Sequence, residues 1–249
     1  MRPKFSSVFT KQLYQMSKKR NENRPKSYFD FQRLQAFYLL EFFEVNNIVV
    51  KEKRILDCGC LYGGYSFEFA RHGGNVVSVD MRSAEHKYLL NLKKKVKTLL
   101  ISQITADALR LPFKKESFDI IIASSLIEHV YSRDKLLLEF QRCLSLNGVL
   151  YLSFPPLYSV IGGHTIRPFN MIPLPLSRLI SPRTRRILRD GPPWLSKPCK
   201  IVDILGLVKV LKLEILAIEP RYLPFSSFVK IPVFRELLVQ MCQLLLRKS

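Results

Sequence analysis

The spacing of apolar residues changes near residue 54, and this change separates a helical beginning from an alternating remainder. In the stretch "FDFQRLQAFYLLEFFEV" (Phe29 to Val45) apolar residues recur at helical intervals, which predicts a helix packed on a core. From Arg54 onward, short apolar runs alternate with amphipathic segments. Six runs are typical of strands, namely "RILDC", "NVVSVD", "TLLISQITAD", "SFDIIIASS", "GVLYLSF" and "LKLEILAIEPRYL".

The segments between these runs favour helices. They are "YSFEFARH", which stops at Gly73-Gly74, "RSAEHKYLLNLKKK", and "SRDKLLLEFQRCLSL", which stops at Asn147-Gly148. The C-terminal stretch "VFRELLVQMCQLLLRK" indicates a short helix and a seventh strand. Strands alternating with amphipathic helices predict a doubly wound α/β domain, whose mostly parallel sheet carries helices on both faces.

Two segments lie outside this alternation. Residues 1–30 are basic and weakly patterned, and we interpret them as an N-terminal arm, with residues 31–249 as the domain. Residues 155–200 contain nine of the fifteen prolines and eight Lys/Arg against one acid, Asp190. We interpret this Pro/Arg-rich stretch, called the lid segment below, as a lid or a loose loop inserted after the fifth strand.

The charge and the cysteines bear on partners and compartment. The net charge of +20 favours anionic partners, which include RNA, a phosphorylated small molecule and an anionic membrane surface. The beginning of the chain has no apolar leader, no membrane-spanning run is found, and the five cysteines are scattered. We therefore expect a cytoplasmic protein with reduced thiols. Its apolar C-terminal stretch could rest on the inner face of a membrane.

The glycines concentrate in "ILDCGCLYGGYSFEFA", between the first strand and the next helix. Glycine permits a positive φ and a close approach by a ligand, and this turn lies where open α/β sheets bind ligands. The pattern is D-x-G-x-x-x-G-G, beginning at Asp57, and lacks the G-x-G-x-x-G of dinucleotide folds. An acid here disfavours pyrophosphate and could hold a positively charged ligand. Asp80 ends the second strand, 23 residues later, and a carboxylate there suits ribose hydroxyls.

Four blocks of the chain together resemble a known family. They are "ILDCGCLYGG", "VVSVDM", "ITADALRLPFKKESFDIIIASSLIEHV" and "LSLNGVLYLSFPP", in this order. In residue pattern and spacing the chain resembles the class I S-adenosylmethionine-dependent methyltransferases, type 11 subgroup, over roughly Arg54 to Pro156. The resemblance implies a seven-stranded Rossmann-like sheet and S-adenosylmethionine as methyl donor.

The resemblance also implies roles for individual residues toward this donor. Asp57, Gly59 and Gly63 would shape the pocket for its methionine end. The residues implied to meet the nucleoside or the sulfonium are Asp80 at the ribose, Met81 packing on the adenine, Asp107 with Ala108 at the adenine edge, and Ser124 beneath the sulfonium.

Leu61 departs from the family, which usually has glycine at that position. If the position requires a positive φ, leucine costs about 1–2 kcal/mol there. We expect Leu61 to keep its backbone N–H available and to turn its side chain away from the cofactor.

Three residues are candidates for a catalytic base, which is needed only if the acceptor must lose a proton. Glu128 and His129 lie in "SLIEHV", which we expect to open a helix, and His164 lies in the lid segment. The "SLIEHV" block resembles the corresponding block of ubiquinone-pathway O-methyltransferases, in which two glutamates and a histidine bind a metal. Since Ser125 stands in place of the first glutamate, we expect no metal. Structural roles for these residues remain open.

The acceptor is not fixed by the sequence, and three hypotheses remain. The first is a small-molecule, lipid-linked or sugar-linked acceptor with negative charge, held by arginines of the lid segment. The second is RNA, because the basic arm and lid segment could neutralise phosphates. The third is a non-catalytic partner subunit that keeps the fold, although the intact Asp57, Gly59, Gly63 and Asp80 argue against it.

Overall fold

A computed structural model describes most of the alternating region and parts of the flanking segments. The described residues are 12, 15–19, 21–23, 25–82, 88–92, 99–156, 199–221, 236, 239 and 241–249. Half of the N-terminal arm and nearly all of the lid segment, including His164, lie outside them. The predicted arm and lid therefore stay predictions.

The seven predicted strands form one sheet. They are β1 (Arg54–Cys58), β2 (Asn75–Asp80), β3 (Ile101–Thr105), β4 (Phe118–Ser124), β5 (Leu144–Phe154), β6 (Leu213–Pro220) and β7 (Cys242–Lys248). The strand order is β3-β2-β1-β4-β5-β7-β6. β1 runs parallel to β2 and β4, β2 runs parallel to β3, and β7 runs antiparallel to β5 and β6. The mostly parallel seven-stranded Rossmann-like sheet predicted from the sequence is thereby confirmed.

The chain divides into two compact units, which are described separately. The first comprises Met1–Ile122 and Arg142–Gly148. In it, helix α1 (Lys26–Val45) packs its apolar stripe on helix α2 (Gly64–Arg71), with ring centroids of Phe29 and Phe67 5.5 Å apart. In the parallel register of β1 and β2, the apolar residue Leu56 of β1 lies opposite the apolar residue Val77 of β2.

The second unit comprises Ala123–Gln141 and Val149–Ser249. It contains most of helix α3 (Arg133–Cys143), helix α4 (Ile201–Val210), β6, β7 and the greater part of β5. Leu244, Leu245 and Leu246 of β7 are fully buried, and since successive side chains of a strand point to opposite faces, both faces of β7 are covered. Among the described residues, every helix is too short or too polar to cross a bilayer.

Three boundaries differ from the predictions. α1 begins at Lys26, inside the predicted arm, directly after Pro25. α3 ends at Cys143 and β5 begins at Leu144, whereas the pattern predicted a helix as far as Leu146. The apolar residues there belong to the strand. The pattern did not predict this boundary, because closely spaced leucines are compatible with both helical and strand periodicity. Residues 125–131, "SLIEHVY", form turns, so the predicted helix at Glu128 is wrong.

Candidate active site

The turn between β1 and α2 depends on two glycines with positive φ. Gly59 has φ 79° and Gly63 has φ 80°, values in the left-handed region. The Gly59 N–H donates to the carbonyl of Val79 on β2 at 2.8 Å. A Cβ on Gly63 would lie 2.3 Å from Cδ2 of the buried Leu89. Both conformation and space therefore require glycine at position 63, as the sequence pattern suggested.

Asp57 anchors the start of α2 from beneath. Its Oδ2 accepts hydrogen bonds from the backbone N–H of Ser66 at 3.0 Å and from the Ser66 Oγ–H at 2.5 Å. The hydroxyl of Ser78 on β2 donates in turn to Ser66 Oγ at 2.6 Å. Burial raises the pKa of Asp57 to about 7, against the lowering effect of the Ser66 hydrogen bonds. Asp57 is only 2% exposed, so it fixes the turn and leaves almost no surface for contacting a cationic ligand.

Asp80, at the end of β2, is bound to the same turn. Its Oδ2 accepts the Leu61 N–H at 2.9 Å, and its Oδ1 accepts the Arg82 N–H at 3.0 Å. Leu61 has φ 49°, so the position does take the left-handed conformation usual for glycine. Its N–H, which we expected to stay available, is donated to Asp80. Each carboxylate oxygen has a further lone pair, so two ribose hydroxyls could still donate to it.

The other predicted nucleoside contacts lie beside Asp80. The Ala106 N–H donates to the Asp80 carbonyl at 3.2 Å, which ties the end of β3 to the end of β2. Asp107 Oδ1 accepts the Leu109 N–H at 2.9 Å, leaving Oδ2 for a second contact. Ala108 is buried, and Met81 is 69% exposed. An apolar side chain this exposed has surface to give to a flat ring.

Gln32 of α1, which was not predicted from the sequence, closes the glycine turn. The Gln32 Nε2–H donates to the Cys60 carbonyl at 3.1 Å, and Gln32 Oε1 accepts the Gly64 N–H at 3.3 Å. The Gln32 side chain is buried, and its amide forms these hydrogen bonds with the turn. One signal was present in the sequence. Gln32 is a polar residue three positions after Phe29 on the buried stripe, where an amide needs partners.

In the second unit, Ser124 ends β4 beside a buried arginine. Ser124 Oγ lies 3.0 Å from Ser153 Oγ of β5, and Arg221 Nη1 lies 3.0 Å from Ser124 Oγ. Ser125 follows with φ 55°, and its N–H donates to the Ser153 carbonyl at 2.8 Å. Arg221 comes directly after the last residue of β6, and no local pattern in the sequence indicated this contact.

The two candidate bases in this unit have opposite environments. Glu128 is 2% exposed, and burial raises the pKa of its carboxyl to about 8, although the cation of Arg133 lowers it. The carboxyl is therefore mostly protonated at neutral pH and a poor base there. His129 is exposed, and its backbone N–H donates to the Leu126 carbonyl at 2.8 Å. The third candidate, His164, lies outside the described residues.

A family profile described as "Methyltransferase domain" matches residues 56–152, which include the glycine turn, Asp80, Asp107, Ser124 and Glu128. Residues 56–152 thus match a methyltransferase domain, and the chain has the fold of the class I S-adenosylmethionine-dependent methyltransferases. Over 95% of its length the chain superposes on 98% of an S-adenosylmethionine-dependent methyltransferase from Aquifex aeolicus, with a TM-score of 0.58 and 11% identity. At that identity the likeness concerns the fold alone.

The chain is similar in sequence to two curated proteins, among others. One is an uncharacterised protein of Methanocaldococcus jannaschii, 32% identical over 127 residues, which are 51% of this chain and 52% of that protein. The other is a ubiquinone biosynthesis O-methyltransferase of Coxiella burnetii, 28% identical over 148 residues, which are 54% of this chain and 58% of that protein. The chain thus spans little more than half the length of the curated relatives it matches.

Proposed function

We propose that the protein transfers a methyl group from S-adenosylmethionine to a small-molecule acceptor with negative charge, either free or linked to a lipid or sugar. The observation that carries this proposal is the Asp80 carboxylate, held by the Leu61 N–H beside the glycine turn of a methyltransferase domain. A fixed carboxylate at the end of β2 suits the two ribose hydroxyls of the donor. S-adenosylmethionine, when bound, supplies a methyl group on a sulfonium.

The chain's own residues would bind and orient this donor. Gly59 and Gly63 bend the turn so that the backbone can approach the methionine end, and Asp57 holds the start of α2 behind them. Asp107 Oδ2 would accept from the adenine amine, with Met81 and Ala108 against the ring. Holding two reactants in line is the main requirement for a methyl displacement, and a base is needed only for a protonated nucleophile.

Two observations support a small, anionic acceptor. The Coxiella burnetii relative is named for O-methylation in ubiquinone biosynthesis, which is small-molecule chemistry. The net charge of +20, with eight Lys/Arg in the lid segment, favours an acceptor with phosphate, carboxylate or another anionic group.

Donor binding is tested first, by calorimetric titration with S-adenosylhomocysteine. The full-length protein should bind it, and Asp80→Asn should weaken binding about 10–100-fold, the effect of weakening charge-assisted hydrogen bonds worth about 1.5–3 kcal/mol. Asp134→Asn is the matched control, because Asp134 lies on the surface in the first turn of α3. Equal affinity of wild type and the Asp80 variant would contradict the assignment of Asp80.

The acceptor is tested by transfer of labelled methyl from S-adenosylmethionine into a fractionated lysate. Label in small molecules or lipids would support the proposal. Label confined to RNA would replace the acceptor with the second hypothesis. Donor binding without label in any fraction would favour the non-catalytic hypothesis.

A further inference from the structure

Three aliphatic side chains of the first unit are largely exposed at one edge of the sheet. Val49 precedes β1, Leu100 precedes β3, and Leu146 lies near the start of β5, with exposed fractions of 63%, 64% and 63%. The neighbouring Val50 and Leu99 are buried, so the turns before β1 and β3 each place one aliphatic side chain inward and one outward. The surface is called the amino edge below. It comprises residues 49–54, 100, 114–117 and 145–147, at or near the starts of β1, β3, β4 and β5.

Hydrogen bonds join the starts of β1, β2 and β3 at this edge. The Lys53 carbonyl accepts the Asn75 N–H at 2.8 Å, and the Leu100 carbonyl accepts the Val76 N–H at 2.8 Å. β2 lies between β1 and β3 in the sheet. Leu100 and the turn before β1 are therefore two strand spacings apart, or about 10 Å, on a fixed frame.

The starts of β4 and β5 continue the same edge. Arg54 of β1 binds Asp119 of β4, with 2.7 Å between Nη2 and Oδ1. Asp119 Oδ1 also accepts the Ser145 Oγ–H at 3.2 Å, one residue before Leu146. The strand order places Leu146 four strand spacings from Leu100, or about 19 Å.

Basic residues lie among the aliphatic side chains of the amino edge. Its turns carry four exposed lysines and two exposed glutamates, namely Lys51, Lys53, Lys114 and Lys115, and Glu52 and Glu116. The charges of Arg54 and Asp119 offset each other in their ion pair. The edge is therefore positive, like the chain as a whole with its net charge of +20, and it complements an anionic partner.

The apolar side chains identify the kind of anionic partner. Single-stranded nucleic acid is bound by basic grooves with aromatic side chains on which bases stack, and the amino edge has aliphatic side chains instead. A protein partner would meet a contiguous apolar patch, whereas these three side chains are separated by charged residues over about 19 Å. Aliphatic side chains spaced among lysines suit an anionic bilayer, where apolar groups enter the headgroup region and cations meet the lipid phosphates.

We propose that the amino edge binds the anionic face of a lipid bilayer, with Val49, Leu100 and Leu146 entering the headgroup region. The C-terminal stretch, which the sequence suggested for such a contact, has its leucines at 244–246 fully buried in β7. The amino edge also lies at the opposite ends of β1 and β2 from Asp57 and Asp80. The inference therefore goes beyond the proposed function and does not depend on it.

Co-sedimentation of the full-length protein with unilamellar vesicles tests this docking surface. One set of vesicles contains phosphatidylcholine alone, and the other contains equal parts of phosphatidylcholine and phosphatidylserine. The wild type should bind the anionic vesicles and remain in the supernatant with the neutral ones, and raised salt should weaken binding. No binding to the anionic vesicles at low salt would overturn the inference.

Two kinds of substitution separate the apolar and the charged contributions. Leu100→Gln and Leu146→Gln should each weaken binding to anionic vesicles about 10-fold, because a leucine would no longer enter the bilayer. Lys51→Gln and Lys115→Gln should each weaken it about five-fold, as expected for one cation at an anionic surface. Raised salt should diminish the effect of the lysine variants and leave that of the leucine variants.

Matched controls lie on helix α3. Leu138→Gln and Lys135→Gln alter an exposed leucine and an exposed lysine, and both should bind the anionic vesicles as the wild type does. Thermal unfolding of every variant should match that of the wild type, because all of these side chains are exposed. Wild-type binding by all four variants of the amino edge, or an equal loss in the two controls, would overturn the assignment of this surface.

The same variants identify a different occupant of the amino edge. Binding of total RNA in place of anionic vesicles, lost in the lysine variants and unchanged in the leucine variants, would replace the bilayer with nucleic acid. Self-association without lipid, lost in the leucine variants, would replace it with a second copy of this chain. Vesicle binding that depends on both leucines and lysines would support the inference, whether or not the protein transfers methyl groups.

Discussion

The backbone N–H of Leu61 donates a 2.9 Å hydrogen bond to Oδ2 of Asp80, and Leu61 adopts φ 49° in the turn that provides it. A left-handed leucine costs about 1–2 kcal/mol. We predict that Leu61→Gly raises the free energy of unfolding by about 1 kcal/mol, after the greater entropy of glycine in the unfolded chain is deducted. Denaturant unfolding measures the change.

Leu61→Ala is the control for this prediction. This substitution removes most of the side chain but keeps the strained left-handed backbone, so it should not raise the free energy of unfolding. Stabilisation of Leu61→Ala to the same extent as Leu61→Gly would assign the effect to the side chain and not to the backbone.

Gln32 allows a second prediction, because its side-chain amide forms hydrogen bonds with both ends of the glycine turn. Gln32→Ala would leave the Cys60 carbonyl and the Gly64 N–H without these partners, at a cost of about 1–3 kcal/mol. We predict lower stability and weaker binding of S-adenosylhomocysteine, measured by unfolding and calorimetry. Gln35→Ala on the same helix is the control, since its bond to Tyr65 Oη is long, at 3.4 Å. Unchanged cofactor affinity in a folded Gln32→Ala would contradict this positioning role.

The strands and the glycine turn were predictable because their signals are local. A continuous apolar run such as "NVVSVD" predicts a buried strand, and an acid at its end lies at the carboxyl edge whatever the rest of the fold does. Gln32, Ser153 and Arg221 were not predictable in this way. Gln32 contacts residues 28 and 32 positions away, and Arg221 contacts Ser124 across 97 positions, so their partners depend on how distant elements pack.

Misplaced boundaries have a similar cause. The leucines of "CLSLNG" fit a helical face and a strand equally well, and pairing within the sheet decides that β5 begins at Leu144. The chemistry of Glu128 also depends on packing, since the same residue would be an ordinary acid on a surface. The burial that raises the pKa of Glu128 cannot be predicted from the local sequence "SLIEHV".

Two glycines in helices should respond to alanine in opposite ways. At Gly64 a Cβ would lie 2.4 Å from Gln32 Cβ and 2.6 Å from the Phe29 carbonyl oxygen, so Gly64→Ala must displace α1. We predict a loss of about 1–3 kcal/mol, as for an overpacked core. At Gly206 in α4 a Cβ meets nothing within 4 Å, and Gly206→Ala should gain about 1 kcal/mol from helix propensity. Thermal unfolding of both variants measures this, and a stabilised Gly64→Ala would contradict the packing of α1 on the turn.

Stability should depend on pH through Glu128. Its folded pKa is raised from 4.5 to about 8, so the unfolded chain releases this proton at lower pH than the native protein does. Between these values the native state binds more protons, and the contribution of Glu128 to stability falls as pH rises. Asp57, raised from 3.8 to about 7, acts in the same direction.

We therefore predict that Glu128→Gln, which keeps the neutral shape, differs little from wild type near pH 4 and becomes progressively more stable than wild type up to about pH 8. Comparing the two proteins at each pH by denaturant unfolding removes the contribution of Asp57, which they share. Glu214→Gln is the control, since its carboxylate is exposed on β6, and its difference from wild type should show no comparable rise across this range. A constant difference between Glu128→Gln and wild type from pH 4 to pH 9 would mean that the Glu128 carboxyl ionises normally in the folded protein, and Glu128 would then again be available as a base at neutral pH.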